Sequence, residues 1–359
     1  MCYNSSIFKQ KRDLEGFEMA DMFAPMIQKL KANPKTIVFT EGADPRIQEA
    51  AARLLAEKVL NVVMVGNKTE IEAASAASGF DISGAEIVDP ETYEGFDDMV
   101  AKMVELRKGK MSAEDCAAAL KKSNYFGTML VKIGKADCLL GGATYSTADT
   151  VRPALQLIKT KKGASLVSSC FILDRDFGDE GLRRIAMGDC AINIDYQDSV
   201  DKATGEVKQT AAAKLAEVVV STAETAKIFG IDPKVAVLSF STKGSGKGGT
   251  VQLSHDATAI AQEKAPELAI DGELQFDAAV SMEVAATKCK GSKVAGQANT
   301  FIFPCIEAGN IGYKIAQRLG GYAAYGPILQ GLNAPINDLS RGCNADEVYK
   351  MSLITACQS

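Results

Sequence analysis

The chain has 359 residues, 47% of them hydrophobic, and a formal net charge of −5, a length suited to two domains and an acidic balance that argues against a general nucleic-acid binder. No apolar run approaches the ~20 residues needed to cross a bilayer, and the first eighteen residues mix charges without the apolar core of a secretory signal. Nine scattered cysteines without a Cys-x-x-Cys pair fit a reducing cytoplasm, and a single histidine, His255, removes His-based triads and multi-histidine metal centres.

Residues 1–18 read as an N-terminal arm, a tag or an upstream start. Helical spacing predicts a helix over 22–32, and Lys35 to Thr40 then reads as a short strand. The strand breaks at Glu41-Gly-Ala-Asp-Pro45 before a helix over 46–57, which is the βα step of a parallel sheet. The step recurs in a strand at 61–65 with a helix at 71–77, in a strand at 85–88, in helices at 99–107 and 114–122, and in a buried strand ending at Gly141 and Gly142. Repeated βα steps predict a doubly wound sheet, where ligands favour the carboxyl ends of the strands. The two glycines permit close approach of a ligand to the backbone. Ser146, Thr147 and Thr150 offer hydroxyls where a helix begins, and Arg152 stands one turn in, a pattern that suits a phosphate or carboxylate or, equally, a plain helix cap.

From Ala164 the texture changes: strands are expected at 166–174, 189–194 and 235–239, with a long Ala-rich helix over 211–229. The glycine-rich Ser241 to Gly249 loop carries Lys243; its glycines formally match a dinucleotide fingerprint, but the Walker A pattern fails at both ends. Asp271, Glu273 and Asp277 offer carboxylates for a metal or acid–base work, or a solvated turn. Thr300 to Pro304 is an apolar strand, and a following helix carries Asn310, Tyr313 and Lys314 at its head. Last, the Gly- and Pro-rich stretch Gly326 to Cys343 reads as an irregular loop that gathers Asn337, Asp338, Ser340 and Arg341.

Several of these blocks together resemble the phosphate acetyl/butyryltransferase family. The carrying motifs are Ser146-Thr-Ala-Asp-Thr-Val-Arg-Pro-Ala154, Leu238-Ser-Phe-Ser-Thr-Lys-Gly-Ser245, Ile270-Asp-Gly-Glu-Leu-Gln275, Gly309-Asn-Ile-Gly-Tyr-Lys314 and Pro335-Ile-Asn-Asp-Leu-Ser-Arg-Gly-Cys343. The resemblance implies an α/β protein of two α/β domains with a cleft between them, similar to the isocitrate/isopropylmalate dehydrogenase-like fold. Domain I would comprise residues 19–162 and 327–359, and domain II, inserted, residues 163–326. It further implies a cytoplasmic homodimer that transfers acetyl between acetyl phosphate and coenzyme A, releasing or consuming phosphate. Coenzyme A is then a substrate, with no cofactor and no metal. A butyryl-type enzyme, a non-catalytic module binding coenzyme A or acyl phosphate, and a nicotinamide-dependent dehydrogenase are the alternatives.

The implied chemistry has three tasks. Arg341 and Arg152 suit the phosphate, since a planar guanidinium matches its oxygens, with Ser146, Thr147 and Thr150 as neutral donors. Ser340 would donate to the developing oxyanion. The base for the thiol proton is Asp346 or Glu347: counted from Ser340-Arg341 the family's acid aligns with Glu347, but Asn344-Ala-Asp-Glu347 departs slightly from the family pattern and leaves the identity of the base open. A carboxylate near ~4 and a thiol near ~8.5 differ by about 6 kcal/mol, so proton removal is expected to accompany C–S bond formation, without an acyl-enzyme. By the same resemblance Arg107, Cys190, Lys243, Asn310 and Tyr313 are expected near substrate, Cys190 being equally readable as core packing. Asn337 and Asp338 are expected to hold the Ser340–Arg341 pair in place.

Overall fold

The computed structural model describes residues 22–178 and 182–359, so the expected arm lies outside the described residues. Its first part runs α1 (Phe23–Ala32), β1 (Lys35–Phe39), α2 (Pro45–Ala56), β2 (Leu60–Val65), α3 (Lys68–Ser78), β3 (Glu86–Val88), α4 (Phe96–Arg107), α5 (Ala113–Leu120), α6 (Ser123–Lys132), β4 (Cys138–Gly141) and α7 (Thr147–Pro153), which continues into a π-helical turn (Ala154–Ile158). The chain then forms β5 (Ser168–Asp176), β6 (Leu182–Gly188), β7 (Ser199–Val200), β8 (Val207–Gln209), α8 (Ala211–Ile228), β9 (Lys234–Leu238), α9 (Val251–Lys264), β10 (Ala269–Leu274), α10 (Phe276–Val280), α11 (Met282–Lys288), β11 (Thr300–Ile302) and α12 (Ile306–Arg318). It closes with β12 (Ala323–Gln330), β13 (Ile336–Asp338) and α13 (Ala345–Cys357).

The first sheet is parallel throughout, in the order β13-β4-β1-β2-β3. Its strands are apolar on both faces because helices cover both. Ile37 and Phe39 of β1 face a core with Leu54 of α2 and Val348 and Leu353 of α13, while Val38 between them faces Met103, Leu120 and Phe126. Chain order runs outward from β1 on one side and returns through β4 and β13 on the other, so the switch point lies between β1 and β4. The helices next to it are sharply started. Asp44 caps α2 by accepting from Arg46 N at 2.9 Å, with Pro45 at the first helical position. Asn344 and Glu347 form a reciprocal capping box on α13.

The second sheet is mixed, in the order β10-β9-β11-β6-β5-β12, with β5 antiparallel to both its neighbours. Val235, Val237 and Ile302 pack on α8 and α9, and Ala236, Leu238 and Phe301 face the opposite core. The chain crosses between the sheets twice, and the crossings lie side by side. Lys161 N donates to Gly331 O at 2.8 Å, Asn333 N to Lys159 O at 3.0 Å, and the Asn333 side chain to Thr160 O at 2.8 Å.

Two expectations are corrected here. Residues 189–194 are not a strand: β6 stops at Gly188, and the buried Asp189 carboxylate gathers the N–H groups of Ala191, Ile192 and Asn193, which curls the backbone away from extension. The stretch 326–343 is more regular than its composition implied, since β12 and β13 occupy much of it. Pro327 is accommodated at an irregularity in the β12–β5 pairing, between Tyr325 and Ile328.

Candidate active site

The carboxyl ends of β1, β4 and β13 meet at the switch point. After β1, the half-buried Glu41 carboxylate accepts from the N–H groups of Gly142 at 3.0 Å and Thr144 at 3.1 Å and from the Thr40 hydroxyl at 2.7 Å, so it holds the loop that follows β4. Burial raises its affinity for a proton. At the end of β13, Asp338 accepts from Thr147 Oγ1 at 2.6 Å and Thr150 Oγ1 at 2.5 Å. Burial pushes the Asp338 carboxyl up to about 6, against the lowering effect of those two bonds. Gly142 has φ +102°, and a β-carbon there would collide with Asp338. The glycine therefore serves the close approach of two strand ends, not that of a ligand.

Beyond Asp338 the backbone enters a tight turn closed by Cys343 N donating to Ser340 O at 2.9 Å. Ser340, Arg341 and Gly342 are exposed on it. Gly342 N donates to Ser340 Oγ at 3.3 Å, which leaves the Ser340 hydroxyl proton free for another acceptor. The Arg341 guanidinium has no partner among the described residues. Asn337 holds the base of the arrangement: fully buried, it accepts from Leu329 N at 2.7 Å and donates to Thr355 Oγ1 at 2.8 Å and Gln358 Oε1 at 2.7 Å. Asn337 and Asp338 thus spend their side chains on hydrogen bonds within the protein.

Ser340, Gly342, Cys343 and Glu347 line a cleft of about 310 Å³ whose far wall is α12 and β12, with Tyr313, Lys314, Arg318, Gly326 and Pro327. Tyr313 stacks on Phe171 with ring centroids 4.1 Å apart, and Asn310 fixes Lys314 by accepting from its Nζ at 2.8 Å while donating to Cys190 O at 3.1 Å. Glu347 accepts from Asn344 N through Oε2 at 3.0 Å and keeps its other oxygen. Asp346 is differently placed: its carboxylate pairs with Lys350 at 2.7 Å and Arg53 at 3.3 Å. Partial burial opposes ionisation there, but the Lys350 hydrogen bond and charge, with Arg53 behind them, hold Asp346 below the usual carboxylate range.

The remaining expected residues lie elsewhere or serve other ends. Thr147 and Thr150 spend their hydroxyls on Asp338, and Ser146 donates to Asp149 at 2.6 Å. Arg107 and Arg152 both bear electrostatically on the Tyr125 hydroxyl, so they share a neighbourhood on the α4–α7 side; neither lines the cleft just described. Cys190 is fully buried and its thiol is raised well above the ordinary range by burial, a packing residue under Asn310. Lys243 pairs with Asp271 and donates to Gly272 O at 2.8 Å. Glu273 accepts from Gly244 N at 2.6 Å and Ser241 Oγ at 2.9 Å. The first half of the glycine-rich loop is thus folded onto its neighbour's carboxylates, and Gly244 N and Gly246 N are already engaged, by Glu273 and by Ser241 Oγ. Among the described residues no cluster of His, Cys, Asp and Glu is arranged to hold a metal ion.

Sequence reasoning did not single out Glu41, Arg46 or Arg318, and it named Lys314 without giving it a role. The rule that ligands gather where parallel strands end would have found Glu41, the first residue but one after β1. Arg318 carries no motif, and only the packing of α12 across the cleft brings it in.

These features define an α/β protein built on two large sheets, with a small β7–β8 ribbon beside them, and a ligand cleft beside the carboxyl edge of its parallel sheet. The sequence model described as phosphate acetyl/butaryl transferase matches residues 21–356, and the chain belongs to that family. It is 52% identical over 341 residues to the phosphate acetyltransferase of Bacillus subtilis (strain 168), covering 95% of this chain and 100% of that one. Among solved structures it is similar to a phosphotransacetylase from Streptococcus pyogenes (TM-score 0.87, 51% identity, 94% and 97% of the two chains). It is also similar to the EutD phosphotransacetylase from Staphylococcus aureus (TM-score 0.83, 47% identity, 95% and 98%). These superpositions correct the fold expectation: the chain has the phosphotransacetylase fold, not the isocitrate/isopropylmalate dehydrogenase-like one. Alternating βα steps specify an α/β class but leave strand order to long-range packing, and that order is what distinguishes one such fold from another.

Proposed function

We propose that the protein catalyses reversible transfer of an acetyl group between acetyl phosphate and coenzyme A, by direct attack of the thiol in a ternary complex. The observation that carries this reading is the convergence of Ser340 and Glu347 on one cleft, with an unpartnered Arg341 between them in the chain. Arg341 holds the phosphoryl oxygens, and Arg152 and Arg107 supply more distant positive charge. As the sulfur bonds to the carbonyl carbon, the thiol proton passes to the free oxygen of Glu347. The oxyanion that forms accepts from the Ser340 hydroxyl, and collapse breaks the C–O bond to phosphate, which departs against Arg341. Glu347 is favoured over Asp346 as base because two cations already engage Asp346. Tyr313, Lys314 and Arg318 offer the far wall an aromatic face and two cations suited to the phosphates of coenzyme A.

The discontinuous division into domains I and II is supported by the strand membership of the two sheets, with β12 extending the second sheet to Gln330. A homodimer is supported by Ile311 and Ile315 on α12 and Leu319 at its C-cap, exposed at 58%, 53% and 85% in an i, i+4, i+8 stripe. A cytoplasmic location is supported by the described cysteines, all free thiols; no described helix is long and apolar enough to cross a membrane. The direct test is acetyl-CoA formation from acetyl phosphate and coenzyme A by purified protein. Absence of thioester with acetyl phosphate, while coenzyme A still binds, would favour the non-catalytic alternative.

A further inference from the structure

Arg46, the second residue of α2, lies behind the turn that carries Ser340 and Arg341. Its guanidinium uses all three nitrogens. Nη1 donates to Arg341 O at 2.8 Å and Cys343 O at 3.1 Å, and Nη2 donates to Ala143 O at 2.9 Å. Nε and Nη2 also grip the Asp44 carboxylate at 3.0 and 2.7 Å, and burial of Asp44 is outweighed by those bonds, which hold it below the ordinary carboxylate range. Asp44 is itself fixed as the cap of α2. One planar group therefore links the segment after β1 to the loop after β4 and the turn after β13, the three strand ends that build the site.

We propose that Arg46 is a positioning residue for the acyl transfer: without touching substrate, it sets the Ser340–Cys343 turn so that the Ser340 hydroxyl and the Arg341 side chain face the reacting group. The proposal rests on the functional reading given above. Three of the turn's four residues are exposed, one of them glycine, so the turn's own contacts fix it weakly. Two of its carbonyls point at Arg46, while the Ser340 carbonyl and hydroxyl oxygens are engaged by the turn's own N–H groups. That division leaves the Ser340 proton and the Arg341 guanidinium for a ligand. Lysine, a point donor on a flexible stem, is unable to grip a carboxylate in two places and still reach carbonyls on two loops.

The test is a double-substitution cycle on the purified full chain, with Arg46→Lys and Ser340→Ala alone and together, reading kcat, KM for coenzyme A and thermal melting. The unsubstituted protein checks the underlying reading first: without turnover that reading falls, whereas with turnover the variants bear on Arg46 alone. Arg46→Lys is expected to lower kcat by about 30-fold while KM changes less than about threefold, since a misplacement near 1 Å costs up to on the order of 100-fold. In the Ser340→Ala background the same change should cost less than about threefold, because residues that act through one another are non-additive. A kcat within about threefold of the unsubstituted protein, or an equal loss in both backgrounds, overturns the proposal. Arg46→Gln, which keeps donors but no charge, serves as the second variant should Arg46→Lys fail to fold, and the same two results decide.

Discussion

Asp338 accepts a hydrogen bond from Thr150 at 2.5 Å, joining the end of β13 to the interior of α7 across 188 positions of sequence. The bond lies directly beneath the turn that presents Ser340, so the ionisation of Asp338 is tied to the geometry of the site. Its proton affinity is raised by burial, and the Glu41 charge adds to that effect.

Because Asp338 titrates at about 6 in the fold and near ~3.9 when unfolded, the folded state binds the proton more tightly. The stability this confers is fully present below the unfolded value and is lost as pH rises through about 6. Asp338→Asn should remove it. Across pH 4 to 6 the unfolding free energy of the parent protein should therefore decline by about 2 kcal/mol relative to the variant, measured by urea titration at each pH. Parallel profiles would show that Asp338 is not the group.

Glu347 and Asp346 separate by substitution. Glu347→Gln preserves the capping box, since glutamine fills that position as well, so melting should shift little while kcat falls by on the order of 100-fold. Asp346→Asn breaks only exposed ion pairs and should cost about 0–1 kcal/mol with activity nearly unchanged. The reverse ranking in steady-state rates would move the base to Asp346.

Ser340→Ala should lower kcat by about 10²–10³-fold, the range for one oxyanion donor. Arg341→Ala should weaken acetyl phosphate binding as well as turnover. Both side chains are exposed, so each variant should melt within about 0.5 kcal/mol of the parent. A large stability loss in either would recast the turn as structural.

Asn337→Ala leaves Leu329 N without its acceptor and Thr355 and Gln358 without their donor, the first two in a buried setting and Gln358 half-buried. The expected cost is about 2–4 kcal/mol, read by denaturant unfolding, at 1–3 kcal/mol for each unsatisfied group that stays dry. A change below about 1 kcal/mol would mean that water replaces the side chain.

Much of this protein was legible in its residues. The βα rhythm of 35–142 announces a parallel sheet, the break at Glu41–Pro45 announces α2, and the motif around Ser340–Arg341 carries the family resemblance. These are local signals, set by backbone preference and apolar periodicity within a turn or two of chain. The expected strand at 189–194 failed because a buried carboxylate, not the local pattern, decides that backbone. The expected roles of Thr147 and Lys243 shifted because their partners, Asp338 and Asp271, lie 191 and 28 residues away.

What the sequence by itself determined is the class of secondary structure and the family, since both are written in contiguous residues. Only the tertiary structure decided which of two adjacent acids faces the cleft and that Glu41, Asp338 and Arg46 meet at the strand ends. It alone decided that α12 supplies the opposite wall. Those outcomes depend on strand order and on burial. Both arise from contacts between segments up to about three hundred residues apart, and no short window of chain contains them.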